Sequence, residues 1–233
     1  MKKLVLYLLA VAVLAVGPIS CSKDDETPAP ALASAPEADA AEDGKSGGIY
    51  KGALIGSTGI IKITLQKGVK QVEITLDGVK KTLTTTDLDS WTSGEAIVGA
   101  EFKSGDWTVV FSINDVGESG SVGFSIPGHP NLFPVIIKEN SNAQVKAYEG
   151  TFAGSDTGTF NFIEKSGYLY GISRPTSEPT SITEFYGIRT GNAVEIQVGS
   201  DVTAVGTIDG NSCSGTWEQS ADFKGTWSGK RTL

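Results

Sequence analysis

The chain has 233 residues, a formal net charge of −8, one histidine and two cysteines. That acidity argues against recognition of nucleic acid phosphates and against electrostatic adsorption to anionic lipid, since both call for clustered cations. One histidine excludes a multi-histidine zinc site, and two cysteines cannot build a disulfide framework.

In chain order, Met1-Lys2-Lys3 supplies a positive start to an unbroken apolar run over Leu4–Val16. The run falls short of the roughly 20 residues needed to cross a bilayer and has the length of a signal-peptide core. Gly17-Pro18 breaks any helix, and Ile19-Ser20 puts a small residue directly before Cys21. This arrangement resembles a bacterial lipobox, with Pro18 where leucine is commoner. The resemblance implies a signal peptide over 1–20, cleavage before Cys21, and attachment to the membrane through acyl chains (diacylglyceryl, palmitate) on Cys21. Two or more such chains anchor stably where one is marginal. Ser22 is not the aspartate that retains many lipoproteins at the inner membrane. Lys23-Asp24-Asp25-Glu26 resembles the surface export signal of Bacteroidota lipoproteins. The resemblance implies an outer-membrane location, lipid-anchored at the cell surface, with a periplasm-facing placement as the alternative.

Residues 21–47 are rich in Ala, Pro and acid, with no aromatic side chain and almost no large aliphatic one. Such a stretch buries too little apolar surface to offset its ordering entropy and is expected to be a disordered tether.

From Gly48 onward period-two alternation takes over. Val72, Ile74 and Leu76 share one face of a strand, with Gln71, Glu73, Thr75 and Asp77 on the other; the run from Asp106 to Ile113 and Ala193–Val198 behave alike. Turn signals (Asp77-Gly78, Ser104-Gly105, Ser166-Gly167, Gly191-Asn192, Asp209-Gly210) separate these runs every 8 to 12 residues. The class is all-β, antiparallel, and the polar outer faces exclude a lipid-facing transmembrane barrel.

The pattern also repeats. Tyr50-Lys51-Gly52-Ala53-Leu54-Ile55-Gly56 lines up with Tyr148-Glu149-Gly150-Thr151-Phe152-Ala153-Gly154. With Asp156 as an insertion, Ile61 and Ile63 then match Phe160 and Phe162, and Gly68 matches Gly167. Later, Gly99–Gly105 resembles Tyr186–Gly191. Two tandem meander units are expected, 48–141 and 142–233, each a small barrel or sandwich of seven or eight strands; whether they are separate or one continuous barrel stays open. The second unit ends in Gly215-Thr216-Trp217 and Gly225-Thr226-Trp227. Within each triplet glycine and tryptophan share a face, so a flat site lets the strand bend beside a bulky ring. In style this is similar to the small barrels of the lipocalin and avidin group, a resemblance confined to these motifs.

No complete catalytic site is visible, and the chain reads as a non-enzyme with no cofactor. Asp156-Thr157-Gly158 has the spelling of an aspartic-protease motif, but that chemistry needs two carboxylates sharing a proton, and the matching place holds Ser57-Thr58-Gly59. A hairpin turn is the better reading. Cys213 lies in a strand-like run and is expected to be buried and inert. Asp87-Leu88-Asp89 supplies too few oxygens for calcium. Three residues stand out as ligand-binding candidates on polar loops: Trp91, with Asp89 beside it, and the lone His129 in Ile126-Pro127-Gly128-His129-Pro130. An aromatic ring beside acid and hydroxyl groups suits stacking on a sugar or anchoring a protein; packing back onto the barrel end is the plainer alternative. The rim-like stretch Pro175–Ser181 is a further variable-looking loop. The functional expectation is a non-catalytic binding module for a glycan, a protein or a small hydrophobic ligand. The alternative is a lipid-anchored inhibitor or immunity-type protein that blocks a hydrolase such as a lysozyme or protease. An enclosed apolar pocket would favour the carrier, and a protruding loop the inhibitor.

Overall fold

The computed structural model describes residues 32–55 and 59–233; the expected signal peptide over 1–20 and Cys21 lie outside the described residues. The first unit comprises β1 (Gly48–Ile55), β2 (Gly59–Gln66), β3 (Val69–Leu76), β4 (Val79–Thr84), β5 (Ile97–Ser104), β6 (Trp107–Ile113), β7 (Ser121–Ser125) and β8 (Phe133–Glu139). The second comprises β9 (Val145–Gly154), β10 (Gly158–Lys165), β11 (Tyr168–Pro175), β12 (Thr183–Thr190), β13 (Ala193–Val198), β14 (Val202–Asp209), β15 (Ser212–Ser220) and β16 (Phe223–Arg231). Each unit is an eight-stranded antiparallel meander whose last strand returns to pair with its first.

The alternation read from the sequence is the one that folds. Val72, Ile74 and Leu76 of β3, and Trp107, Val109, Phe111 and Ile113 of β6, are all buried. Asp77-Gly78 and Ser166-Gly167 close their hairpins with both φ angles positive (48° and 80°, 53° and 85°), the turn geometry that matches strand twist. The Tyr-x-Gly repeat is structural as well. Tyr50 pairs with Ile63 and Gly52 with Ile61, just as Tyr148 pairs with Phe162 and Gly150 with Phe160. The later match does not follow the duplication: Gly99–Gly105 spans the fifth strand of its unit, Tyr186–Gly191 the fourth. Glycine-bearing hairpins simply look alike.

The two sheets differ in closure. In the second, β16 pairs with β9 from Gly225↔Gly154 to Arg231↔Tyr148, so the barrel is closed. In the first, the sheet order runs β7-β6-β5-β4-β3-β2-β1-β8, which leaves β7 and β8 as edges, and Thr84↔Lys103 is the one residue pair joining β4 to β5. The connection between those two strands brings Leu88 and Trp91 onto the core of Leu54, Ile63, Phe102 and Phe111, so these side chains join the packing inside the first unit.

The outward faces of β1, β8, β9, β10 and β11 are apolar where they meet. Ala53, Val135, Val145, Ala147, Ile163 and Ile172 form a separate buried cluster between the barrels. At its border Lys51 is fully buried. Its ammonium lies 2.7 Å from Glu139, also fully buried, and 2.8 Å from Glu37. Glu139 further accepts the backbone N–H groups of Val145 (2.8 Å) and Glu37 (2.6 Å). A buried ammonium is tolerable only with such partners, and removing one typically costs about 3–5 kcal/mol.

The expected tether over 21–47 is corrected for residues 32–47, which dock on the folded unit, while its 21–31 part lies outside the described residues. Gln144 donates to the carbonyls of Ala33 and Ala35, and Arg231 to that of Ala33. Glu37 also pairs with Lys62 at 2.6 Å, and Gln66 both donates to the Glu37 carbonyl and accepts from the Asp39 amide. Asp39 caps a single 3-10 turn over Ala40–Glu42. Asp43 accepts from the Ser141 amide and hydroxyl, and Lys138 donates to the carbonyls of Glu42 and Lys45. Ions and backbone groups hold this strap, which is why a composition poor in apolar residues conceals it.

Burial opposes ionisation of Glu37, yet its hydrogen bonds and charge contacts with Lys51 and Lys62 outweigh that and hold its carboxyl below the ordinary value. A carboxyl whose pKa is lowered by folding contributes stability above its unfolded pKa and loses it as pH falls through the folded one. Urea midpoints measured downward from pH 7 should therefore fall for the native chain once pH drops below about 4.5. Glu37→Gln should be less stable at pH 7 and show a flatter acid decline. An identical decline in both proteins would contradict the role given to Glu37.

Candidate functional site

Strand connections alternate between barrel ends. In the second unit the β9–β10, β11–β12, β13–β14 and β15–β16 connections therefore share one end, and that end is open. It leads into a cavity of about 430 Å³, within the few hundred Å³ usual for small-ligand sites. An eight-stranded barrel is just wide enough to hold one small ligand.

The wall is aromatic. Phe160 and Phe162 project inward from β10, Phe185 from β12, Trp217 from β15, and Phe223 and Trp227 from β16, with Phe152 of β9 beside them. Their rings meet edge to face: Phe152 and Trp217 at 6.2 Å, Trp217 and Phe223 at 5.5 Å, Phe160 and Trp227 at 5.8 Å. Ile196, Val198, Val202 and Ala204 complete the opposite side.

Glycine makes room for the two tryptophans. The Gly-Thr-Trp triplets of β15 and β16 pair reciprocally, Gly215 opposite Trp227 and Trp217 opposite Gly225. Gly206 in turn pairs with Gly215, and Gly154 with Gly225, so each indole lies over a floor of two paired glycines. A Cβ at Gly225 would sit 2.6 Å from Trp217 Nε1, and one at Gly215 would sit 2.7 Å from Trp227 Nε1. The indole N–H groups donate to the carbonyls of Ala153 (3.3 Å) and Thr216 (3.2 Å), which fixes both rings against the wall.

The far end of the barrel is closed by Glu164, with Arg189 at 3.6 Å and Lys146 at 3.7 Å. Tyr148 stacks on Phe162 at 4.8 Å there, and its buried hydroxyl has no hydrogen-bond partner among the described residues. Cys213 is buried in the same core, and burial pushes its thiol up to about 12, so it stays protonated, as an inert thiol should.

Polar groups gather at the mouth. Asp156 sits in the β9–β10 turn, accepting the Thr157 amide at 2.7 Å and the Ser177 hydroxyl at 3.0 Å. Glu178 lines the mouth from the β11–β12 connection, and Ser173, Thr183 and Gln219 reach the cavity. Asp156 is therefore both a turn residue and a rim residue, and Ser177 and Glu178 of the 175–181 loop belong to the same rim.

The loop candidates lie elsewhere. Trp91 is half-buried on the first unit's core, its indole donating to the Glu95 carbonyl at 2.9 Å and its ring 5.8 Å from the Lys70 ammonium. Asp89 is exposed, its amide donating to the Thr86 carbonyl. His129 is half-buried in the β7–β8 connection, its amide donating to the Ile126 carbonyl. Trp91 and Asp89 follow the fourth strand and His129 the seventh, so they stand at opposite ends of that barrel and form no common site. Among the described residues no cluster of three or more His, Cys, Asp or Glu side chains is placed to hold a metal ion.

Compared with models of known protein families, with curated proteins and with solved structures, the chain matches none.

Overpacking a tight site costs roughly 1–3 kcal/mol. Gly225→Ala should accordingly lower the thermal midpoint by several degrees and red-shift tryptophan emission as Trp217 is displaced. Gly123→Ala, where a Cβ meets nothing closer than Val110 at 3.8 Å, should change neither. Equal effects of the two substitutions in differential scanning fluorimetry would contradict the glycine floor.

Proposed function

We propose that the protein is a non-catalytic binding protein that takes up a small, largely apolar ligand in its second barrel. The observation that carries this reading is the open-ended cavity of about 430 Å³ walled by seven aromatic side chains. A well-packed core leaves no such space, because interiors close up to the density of organic crystals. An inhibitor would call for a loop aimed into an active-site cleft. Trp91, the residue best suited to lead one, is bound back to Glu95 and the core, so carriage is the preferred reading. The first unit serves as a mount.

Titration of the unacylated chain (Cys21→Ser) with the neutral probe N-phenyl-1-naphthylamine tests the site. Saturable quenching of Trp217 and Trp227 emission is expected, and Ala204→Trp, which fills the cavity from β14, should weaken binding by about tenfold or more, roughly 1.4 kcal/mol. Undiminished binding by a folded Ala204→Trp protein would place the probe elsewhere and defeat the proposal.

We further propose that Cys21 carries acyl chains that hold the chain at the outer membrane, facing the cell surface. The supports are the apolar leader, the lipobox-like Ile19-Ser20-Cys21 and the Lys23-Asp24-Asp25-Glu26 run. Expressed in a Bacteroidota host, the native chain should incorporate labelled palmitate, fractionate with outer membranes and be degraded by protease added to intact cells. Cys21→Ser should lose the label and the membrane association together. Label retained on Cys21→Ser would refute the assignment.

A further inference from the structure

Resting on the reading of the second barrel as a ligand site, we propose that its ligand is an amine: an apolar or aromatic body that fills the cavity, with an ammonium group held at the mouth by Asp156 and Glu178. The two charged side chains lining the cavity are both carboxylates, and no Lys, Arg or His joins them among the described residues. Neither carboxylate has an ion-pair partner among the described residues, although ten such pairs occur elsewhere in the described chain.

Asp156 is also pre-oriented. The Thr157 amide holds one of its oxygens and the Ser177 hydroxyl the other, across two different mouth connections, while the side chain stays half-buried beside the cavity. Each oxygen keeps lone-pair capacity for a further donor. A carboxylate held in one place at the edge of an apolar space has given up part of its hydration, so a cation arriving there finds a stronger partner than a fully solvated acid would be. The remaining mouth connections add Asp201 and Asp222, which deepens the negative potential at the entrance.

The nearby cations point away. Arg174 lies between the cavity-lining Ser173 and Pro175, so alternation directs it outward, where its guanidinium donates to the Asn131 carbonyl. Lys224 is exposed on β16, next in sequence to the inward Phe223. Just inside the rim the Trp217 ring lies 6.2 Å from Phe152 and 5.5 Å from Phe223, and these rings offer an ammonium group a second attraction, through the ring quadrupoles. A neutral ligand would gain from the wall alone, and an anion would meet two uncompensated carboxylates.

Three probes of one shape separate these cases: 1-naphthylmethylamine (cation at pH 7), 1-naphthalenemethanol (neutral) and 1-naphthoate (anion), titrated into the Cys21→Ser chain by calorimetry at low and high salt. The amine should bind about tenfold or more tighter than the alcohol, with naphthoate weakest, and the amine's advantage should shrink at about 0.5 M NaCl as the charges are screened. Asp156→Asn/Glu178→Gln should bring amine and alcohol to within about twofold, chiefly by weakening the amine. Equal binding of amine and alcohol by the native chain, tighter binding of naphthoate, or an advantage that survives the double substitution would each overturn the proposal with the cavity reading intact. If the alcohol, too, fails to bind the native chain, the cavity reading falls and the amine proposal with it. An unchanged thermal midpoint in the double variant separates loss of charge from loss of fold.

Discussion

The pairing of β16 with β9 is the constraint on which the cavity-bearing half of the molecule depends. It turns an eight-stranded ribbon into a wall without edges, and the interior volume follows from that closure. The strands that close the ring also carry its largest side chains. An indole on a closing strand would force the backbone apart if the neighbouring strand carried side chains beneath it. The paired glycines, Gly154 with Gly225 and Gly206 with Gly215, remove that obstacle and let Trp217 and Trp227 lie flat along the wall, with their N–H groups spent on the carbonyls of Ala153 and Thr216. A ring fixed against the wall leaves the centre empty. The same Tyr-x-Gly opening in the first unit leads to a different result, because β7 and β8 do not pair and the long β4–β5 connection brings Leu88 and Trp91 onto the core.

The buried Lys51 has a comparable role in joining the two units. On the outward face of β1 it would be an ordinary solvated lysine if the first barrel stood alone. Packed beside the apolar cluster of Ala53, Val135 and Val145, it needs carboxylates, and it takes one from β8 and one from the strap. Glu139 spends its other lone pairs on the amides of Val145 and Glu37, so a single carboxylate ties together the end of the first unit, the start of the second and residue 37. Networks satisfied to this degree specify geometry more than they add stability, since both ions must first be taken out of water.

Much of the architecture is legible in the residues. Strand alternation in Val72–Leu76 and Trp107–Ile113, the Asp-Gly and Ser-Gly turns and the Tyr-x-Gly repeat each encode their structure within ten residues, and each is realised. What is not legible is long-range. The strap is concealed because its partners, Lys51, Lys62, Gln66 and Ser141, lie up to about a hundred residues away and bind it through charge and backbone groups. The cavity is concealed because Phe160, Phe162 and Phe185 have the burial pattern of any core residue; nothing local distinguishes a side chain that faces a neighbour from one that faces an empty centre. Asp156 is legible as a turn residue, but its place at the mouth depends on Ser177 from another connection. Trp91 stands out as an aromatic ring in a polar loop, yet its neighbours Leu88 and Glu95 fold that loop back on itself.

Strap and mouth lie at opposite ends of one strand. The strap meets the second unit beside Val145, where Gln144 and Arg231 hold Ala33, and the mouth opens past Gly154, at the other end of β9. Ten residues of extended chain separate them, about 30 Å at the rise of a β-strand. The strap's contacts through Ala33, Glu37 and Asp43 reach Gln144, Arg231, Lys51, Lys62, Glu139 and Ser141, beside the inter-barrel cluster. The mouth connections share none of those contacts. The Ser177–Asp156 hydrogen bond that shapes the mouth joins two connections at the far end of the barrel and involves none of the strap's partners.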